Sequence, residues 1–316
     1  MTYTNPTDYA EWMKNLEQFL TLLRNTELTN RQVLMQLYLL KLPFFMRLTR
    51  DVLLKLPREQ YQYSEEVETF LSCCDTYPNL LEDLNALHYI STHPTQVSIY
   101  PNERIVIDAF LCLLHQQLQE PKISNRINER KQLVNDNIKD KTQYVNALFT
   151  AYPKLLVIRV DFYYKKEVDA NLNDLITHIE RFYNNKRSNA LFNDMVGYVI
   201  KLEYGVDRKF HAHVMLFFDN DKLKCKGNDD VTLAWDICNY WVNSITKGMG
   251  DYHNCQAYKS DYEKSGRLGI GQIRADDIKK RENLIKTVVY FCKKEQFVKL
   301  KSNPKMKLIR RMAIPK

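Results

Sequence analysis

Apolar residues recur at spacings of three and four through roughly the first 120 positions, and from about residue 134 the pattern shifts to short continuous or alternating runs. The early pattern predicts helices over DYAEWMKNLEQFLTLL (8–23), TNRQVLMQLYLLKL (29–42, with Thr29 or Asn30 as N-cap) and ERIVIDAFLCLLHQQL (103–118). The polar stretch PKISNRINERKQLVND (121–136) reads as a hinge. It divides an all-helical N-terminal domain, 1–130, from a second domain, 131–316. In that second domain KLLVIRVDFYY (154–164), MVGYVIKLE (195–203), KFHAHVMLFF (209–218) and GRLGIGQI (266–273) predict strands. NDLITHIERFYNN (173–185), DVTLAWDICNYWVNSIT (230–246) and ADDIKKRENLIKTVVYFCKKEQFV (275–298) predict helices. YGVDRK, with Gly205 and Asp207, supplies a turn that joins the second and third strands as a hairpin. The class that follows is α+β with a mainly antiparallel sheet.

Alternation along the third strand places His211, His213, Met215 and Phe217 on one face and Ala212, Val214, Leu216 and Phe218 on the other. The wholly apolar set predicts the core face, so the histidines are expected on the opposite side, at an open end of the sheet. A single strand histidine is usually structural, whereas two at i and i+2 can chelate. A turn symmetric about Asp207 sets Glu203 across from His211 and Lys201 across from His213. Glu203, His211 and His213 would then offer one carboxylate and two imidazoles, leaving coordination positions open as catalytic metal sites do. That donor set suits Mn²⁺, or less ideally Mg²⁺, without excluding Zn²⁺. A register slip of one residue would turn Glu203 to the other face. On the first strand Arg159 and Asp161 share a face, read either as the open side of the sheet or as a buried ion pair.

Charge sharpens this picture. The chain carries a net +8, with pI about 8.9. Residues 1–150 net −3 and residues 151–316 net +11, and from Lys293 to Lys316 there are nine Lys or Arg against the one acid Glu295. A polyanion partner or a solubilising basic tail would explain the excess. Tyr163, Tyr164, Trp235 and Trp241 could stack bases, with core packing the default for both tryptophans. Seven cysteines without a C-x-x-C pair and no visible signal peptide lead to the expectation of a reducing, intracellular setting, which is cytoplasmic. The run VLMQLYLLKLPFFM (33–46) is interrupted by Lys41 and Pro43, so no membrane association is expected. His88, His93 and His115 are scattered and read as structural.

Among 20 tyrosines, Tyr290 stands out by its neighbours. Lys286, Thr287, Lys293 and Lys294 lie three or four residues away on a helix, beside an apolar side made by Leu284, Ile285, Val288, Phe291 and Cys292. A phenol titrates near 10 and is a poor nucleophile at neutral pH, but a nearby ammonium favours phenolate and a metal-polarised phosphate lowers the demand on it. The plainer reading is a tyrosine at the core boundary with its hydroxyl in water. Tyr258 and Tyr262, four apart, imitate a two-tyrosine arrangement but fall in what reads as a Gly- and Lys-rich connection.

The histidine–hydrophobic–histidine pattern, with a tyrosine on a later helix, resembles the HUH endonucleases. LLVIRVDFYY (155–164), FHAHVMLFF (210–218), GIGQIR (269–274) and VVYFCKKEQFVK (288–299), in that order and spacing, resemble a narrower group: replication proteins of filamentous phages and prophages, the inovirus family also described by the YagK/YfjJ C-terminal domain. The resemblance implies an HUH-type antiparallel sheet, ferredoxin- or RRM-like, flanked by helices. It implies a rolling-circle initiator that nicks one DNA strand at an origin hairpin, leaving a 5′-phosphotyrosine and a free 3′ hydroxyl. Carried over, His211 and His213 become metal ligands with Glu203 as the third, Tyr290 the nucleophile, and Lys293 its companion with Lys294 as competitor. Arg159, Lys286, Lys299, Lys301, Arg310 and Arg311 are the expected DNA contacts. No G-x-x-x-x-G-K-[ST] motif is present, so unwinding and synthesis would fall to a host helicase and polymerase. Two readings compete: a non-catalytic module that holds single-stranded nucleic acid on an open sheet, and a related single-tyrosine transposase or relaxase.

Overall fold

The computed structural model describes residues 9–25, 58–78, 89, 93, 101–185, 189–205, 208–223, 230–293, 298–303 and 305–314. Its elements begin with α1 (Tyr9–Asn25), β1 (Tyr61–Tyr63), α2 (Glu65–Thr76), α3 (Pro101–Leu118), α4 (Pro121–Ala151) and β2 (Lys154–Tyr164). Then come α5 (Leu172–Asn184), β3 (Met195–Gly205), β4 (Lys209–Asp219), α6 (Asp230–Tyr240) and β5 (Gly250–Asn254). The order closes with α7 (Lys259–Lys264), β6 (Gly271–Arg274), α8 (Ile278–Lys293), β7 (Val298–Leu300) and β8 (Ile309–Arg311). Two compact units result, one of residues 1–131 with 296–306, the other of 132–295 with 307–316.

In the first unit α1, α2 and α3 bury Leu16, Leu20, Val67, Phe70, Ile107, Phe110 and Leu114, with Phe70 and Phe110 edge to face at 6.0 Å. Arg130 reaches Glu17 at 3.2 Å, Glu65 at 3.4 Å and Glu66 at 2.6 Å, giving two nearly buried carboxylates a counter-charge. The unit is not all-helical, because β1 pairs antiparallel with β7 from the far end of the chain. The helix expected at 29–42 lies outside the described residues. Residues 121–136 form no hinge but open the 31-residue helix α4. Pro121 sits at the helix start, where it costs nothing, and no breaker follows.

In the second unit a sheet runs in the order β5-β2-β4-β3-β8, with β6 also on β2, and every pairing is antiparallel. β4 flanks one side of β2, while β5 and β6 share the other. One face of the sheet carries Ile158, Val160, Phe162, Ala212, Val214 and Leu216, all fully buried or nearly so. Phe182 of α5 meets Phe162 at 5.1 Å, and Trp241, in the π-helical turn that follows α6, stacks on it at 4.7 Å. The other face is buried as well: Leu155, Val157, Val199, Met215 and Phe217 pack with Tyr144 and Leu148 of α4 and Leu284, Val288 and Phe291 of α8. The expectation of one core face and one open face is therefore corrected. Helices cover both sides, and the histidines stand at the border of the second core.

The GIGQIR segment explains how α8 is seated. A Cβ at Gly269 would stand 2.6 Å from the carbonyl carbon of Asn283 and clash with Leu284, so only glycine lets the helix backbone approach this closely. Asn283 locks the contact through bonds to the carbonyls of Gly266 (2.9 Å) and Leu268 (3.1 Å). Gly271 follows at φ +83°. Gly269→Ala is expected to lower stability by roughly 2–3 kcal/mol through overpacking, read as a lower midpoint in chemical denaturation.

The helix expected to run to residue 298 ends as α8 at Lys293. The basic tail proves not to be a free tail: β7 joins the first unit, and β8 pairs with β3 of the second. No helix among the described residues is long and apolar enough to cross a membrane.

Candidate metal centre

The β3–β4 register sets Glu203 directly across from His211 and Lys201 across from His213, as a turn centred near Asp207 predicts. Residues 206–207 of that turn lie outside the described residues. Glu203, His211 and His213 are 8 %, 4 % and 6 % exposed, so the triad is buried rather than displayed on an open sheet. The imidazoles stand perpendicular at 4.9 Å. One ligand atom from each of the three falls within 4.8 Å of the others, which makes them a candidate metal-binding triad.

A second layer orients the rings. The Nδ1 of His211 donates to the Lys209 carbonyl at 2.9 Å, and the Nδ1 of His213 donates to Asp161 Oδ1 at 2.7 Å. A carbonyl can only accept, so His211 carries its proton on Nδ1 and keeps Nε2 for ligation. His213 Nε2 is buried, makes no hydrogen bond, and faces Glu203 Oε2 at 3.6 Å. Two ligand atoms each about 2.1 Å from one cation stand roughly 3.0–3.4 Å apart, so a small closure of this pair fits a divalent ion.

The electrostatics agree with that geometry. Burial, followed by the charge of His213, lowers His211 to about 4, so it stays a neutral ligand through the physiological range. Burial alone would lower His213 too, but its bond to Asp161 and the neighbouring Glu203 carboxylate raise it above its ordinary value. Burial would raise Asp161, yet the hydrogen bond and charge of His213, with Arg159 and Arg208 behind them, hold it well below the carboxylate range. Arg208 donates to Asp161 Oδ2 at 2.7 Å while lying 4.7 Å over the Tyr163 ring. The expected Arg159–Asp161 alternatives thus resolve differently: Asp161 is paired, but with His213 and Arg208. Asp161→Asn keeps the shape and removes the charge that orients His213. We expect metal affinity to fall about 10- to 100-fold, measured by calorimetric titration.

Helix α8 closes one side. Phe291 stacks on the His213 ring at 5.3 Å and 20°, and the Arg159 guanidinium stands 5.4 Å from the Phe291 centroid. Arg159 Nε is buried without a hydrogen-bond partner. Tyr290, the next residue back, is turned about 100° around the helix and is 51 % exposed. Lys286, one turn earlier, is exposed. The structure thus brings Glu203, His211, His213, Arg159 and the α8 segment bearing Tyr290 to one region.

Of the other expected residues, Arg310 and Arg311 are engaged elsewhere. Lys293 ends α8 with its side chain outside the described residues, as is all of Lys294. Lys299 and Lys301 belong to the first unit, where Lys299 pairs with Gln62 and Lys301 is exposed, while the side chain of Lys299 lies outside the described residues. Arg310 binds Glu180 at 3.0 Å, and Arg311 forks onto Asp140 at 3.0 and 2.6 Å above the Tyr144 ring, so both guanidiniums anchor β8. Trp241 is core, as expected, but Trp235 is 52 % exposed against the default of burial. Tyr258 and Tyr262 are not in an irregular connection either, because a 3₁₀ turn over Cys255–Tyr258 runs into α7. His213 and Arg208 as partners of Asp161, and Phe291 as the cover of His213, went unread because each pairing joins segments distant in sequence.

Residues 117–307, more than half of the chain, match the family model described as the YagK/YfjJ C-terminal domain. No curated protein matches the chain, and no solved structure does.

Proposed function

The chain belongs to the YagK/YfjJ C-terminal domain family, and from that premise we propose that it is a metal-dependent single-strand DNA nickase of the HUH type, acting as a rolling-circle replication initiator. The observation that carries the reading is the convergence of Glu203, His211 and His213 under a helix whose Phe291 lies on His213 and whose next residue is Tyr290. The sheet is read accordingly as the ferredoxin-like sheet of that superfamily, and the setting as the bacterial cytoplasm.

A bound Mn²⁺ or Mg²⁺ would polarise a non-bridging oxygen of the scissile phosphate and offset its developing charge. The protein's own groups supply the rest. Glu203, His211 and His213 would hold the cation, and Asp161 fixes the tautomer of His213. Arg159, whose guanidinium lies over Phe291, would meet a phosphate of the strand. The Tyr290 oxygen attacks phosphorus, its proton leaves to solvent or a nearby base, and the bond to the 3′ oxygen breaks. The products are a 5′-phosphotyrosyl enzyme and a free 3′ hydroxyl, and the reverse attack rejoins the strand.

A non-catalytic single-strand binding module is the reading to beat. Simple binding needs neither a buried chelating triad nor the tautomer control that Asp161 and Lys209 impose. Incubating the protein with end-labelled single-stranded oligonucleotides and Mn²⁺ or Mg²⁺ separates the two. A covalent adduct whose nucleotidyl peptide maps to α8 supports nicking; stable binding without any adduct, across origin-containing substrates, supports the binding module.

A further inference from the structure

The edge strand β5 carries two aromatic pairs that neither the sheet's cores nor the candidate metal centre uses. Its neighbours Tyr252 and His253 point to opposite faces, as strand residues must. Each backs an exposed ring. On the α6 side, Trp235 stands edge to face with Tyr252 at 6.3 Å and 76°. On the histidine side, Tyr258 stacks on His253 at 4.9 Å and 23°. Trp235 is 52 % exposed and Tyr258 47 %, although a ring of either type would normally be buried deeper.

The position of these rings relates them to the candidate centre. His253 pairs directly with Asp161 across β2, and Asp161 pairs directly with His213 across β4, so the β5 edge lies two strand spacings, roughly 10 Å, from His213. Between them Arg208 lies on the Tyr163 ring, and the Tyr163 hydroxyl donates to the Tyr252 carbonyl at 2.8 Å. Lys165, whose amide bonds to the Met249 carbonyl at 3.1 Å, and Lys247 expose ammonium groups beside the start of β5. Asp251 is the opposing charge there, half-buried and bonded to the Tyr252 amide at 2.8 Å.

We propose that the β5 edge is a base-stacking rim for single-stranded DNA, on which Tyr258 and Trp235 each take a nucleobase of the strand that passes through the candidate metal centre. Flat rings backed by a second ring, with cations alongside, are what a flexible polyanion with π-faces requires, and such stacking tolerates any base. Arg208 offers a phosphate contact between the rim and the centre. The inference rests on the reading of that centre as one for DNA and adds the path of the strand.

The test uses binding in EDTA, where no cleavage can occur, so a failure of the nickase reading and a failure of the rim are separate results. A fluorescein-labelled single-stranded DNA oligonucleotide is titrated with the full chain and with Trp235→Ala, Tyr258→Ala and Tyr258→Phe. Each alanine variant should bind on the order of tenfold more weakly, with thermal melting unchanged because both rings are exposed. Tyr258→Phe should bind like the parent, since a base stacks on the ring and not the hydroxyl. An oligonucleotide of the same length with abasic positions should show no difference among the four proteins. Unchanged affinity in both alanine variants would overturn the proposal. So would an equal loss on the abasic strand, or a self-association of the chain that Trp235→Ala abolishes while DNA binding is retained.

Discussion

Replacing His213 with alanine is expected to reduce strand nicking by about 10³-fold or more, since a bound cation offsets several kcal/mol of charge in the transition state and each 1.4 kcal/mol is a factor of ten. The substitution should also destabilise the metal-free protein by roughly 2–4 kcal/mol. Both effects have one origin. His213 offers Nε2 to the triad and Nδ1 to Asp161, a carboxylate that is 4 % exposed and would retain only Arg208 as a close partner. Denaturant melts in EDTA report the stability change, and nicking of a labelled single strand at saturating Mn²⁺ reports the chemistry. His211→Ala separates the two: its Nδ1 bonds a backbone carbonyl and no buried charge. It should lose nicking to a similar degree with a smaller cost in stability. A His213→Ala protein that nicks at the parental rate would remove the triad from the mechanism.

Replacing Tyr290 with phenylalanine is expected to eliminate the covalent adduct while leaving metal affinity and stability in place. Tyr290 is 51 % exposed and lies outside the stripe of Leu284, Val288, Phe291 and Cys292 that seats α8, so loss of its hydroxyl should move stability by less than about 0.5 kcal/mol. Cation binding depends on β3 and β4 and should not register the change. Mass spectrometry of the digested reaction identifies the bonded residue in the parent. An undiminished adduct in Tyr290→Phe would transfer the nucleophile elsewhere, first to Tyr258, whose ring stacks on His253 in the row that contains Asp161 and His213.

How much of this could be read from the chain depends on how local each feature is. β2, β3 and β4 follow from alternation, and the hairpin register follows from the few residues between 205 and 209, which is why the placement of Glu203 beside His211 was legible. The amphipathic stripe of α8 was equally local. Cross-sheet neighbours were not. β2 lies beside β4 with β3 on the far side, an order that sequence adjacency does not contain, and so Asp161 could be placed on a face but not against His213. Short strands also escaped: β1, β7 and β8 have three residues each and owe their form to distant partners. The stretch at 121–136 misled through its polarity, because helix formation needs only the absence of breakers, and Ile127 at 1 % exposure supplies the one firm anchor in its early turns. Met215 and Phe217 were the visible sign that the histidine face is partly core, since an open face would not carry them beside His213.

The most direct measurement is a calorimetric Mn²⁺ titration of the metal-free protein, with the proton release recorded in buffers of different ionisation enthalpy. His213 titrates above its ordinary value near 6.5, so a cation at Nε2 must displace a proton below that folded value, and affinity should rise with pH until His213 is neutral. One Mn²⁺ per chain is expected, bound more tightly at pH 8 than at about pH 6, and lost in the His211→Ala, His213→Ala double variant. Equal Mn²⁺ uptake by that double variant, or no uptake by the parent at any pH, would contradict a cation site built from Glu203, His211 and His213.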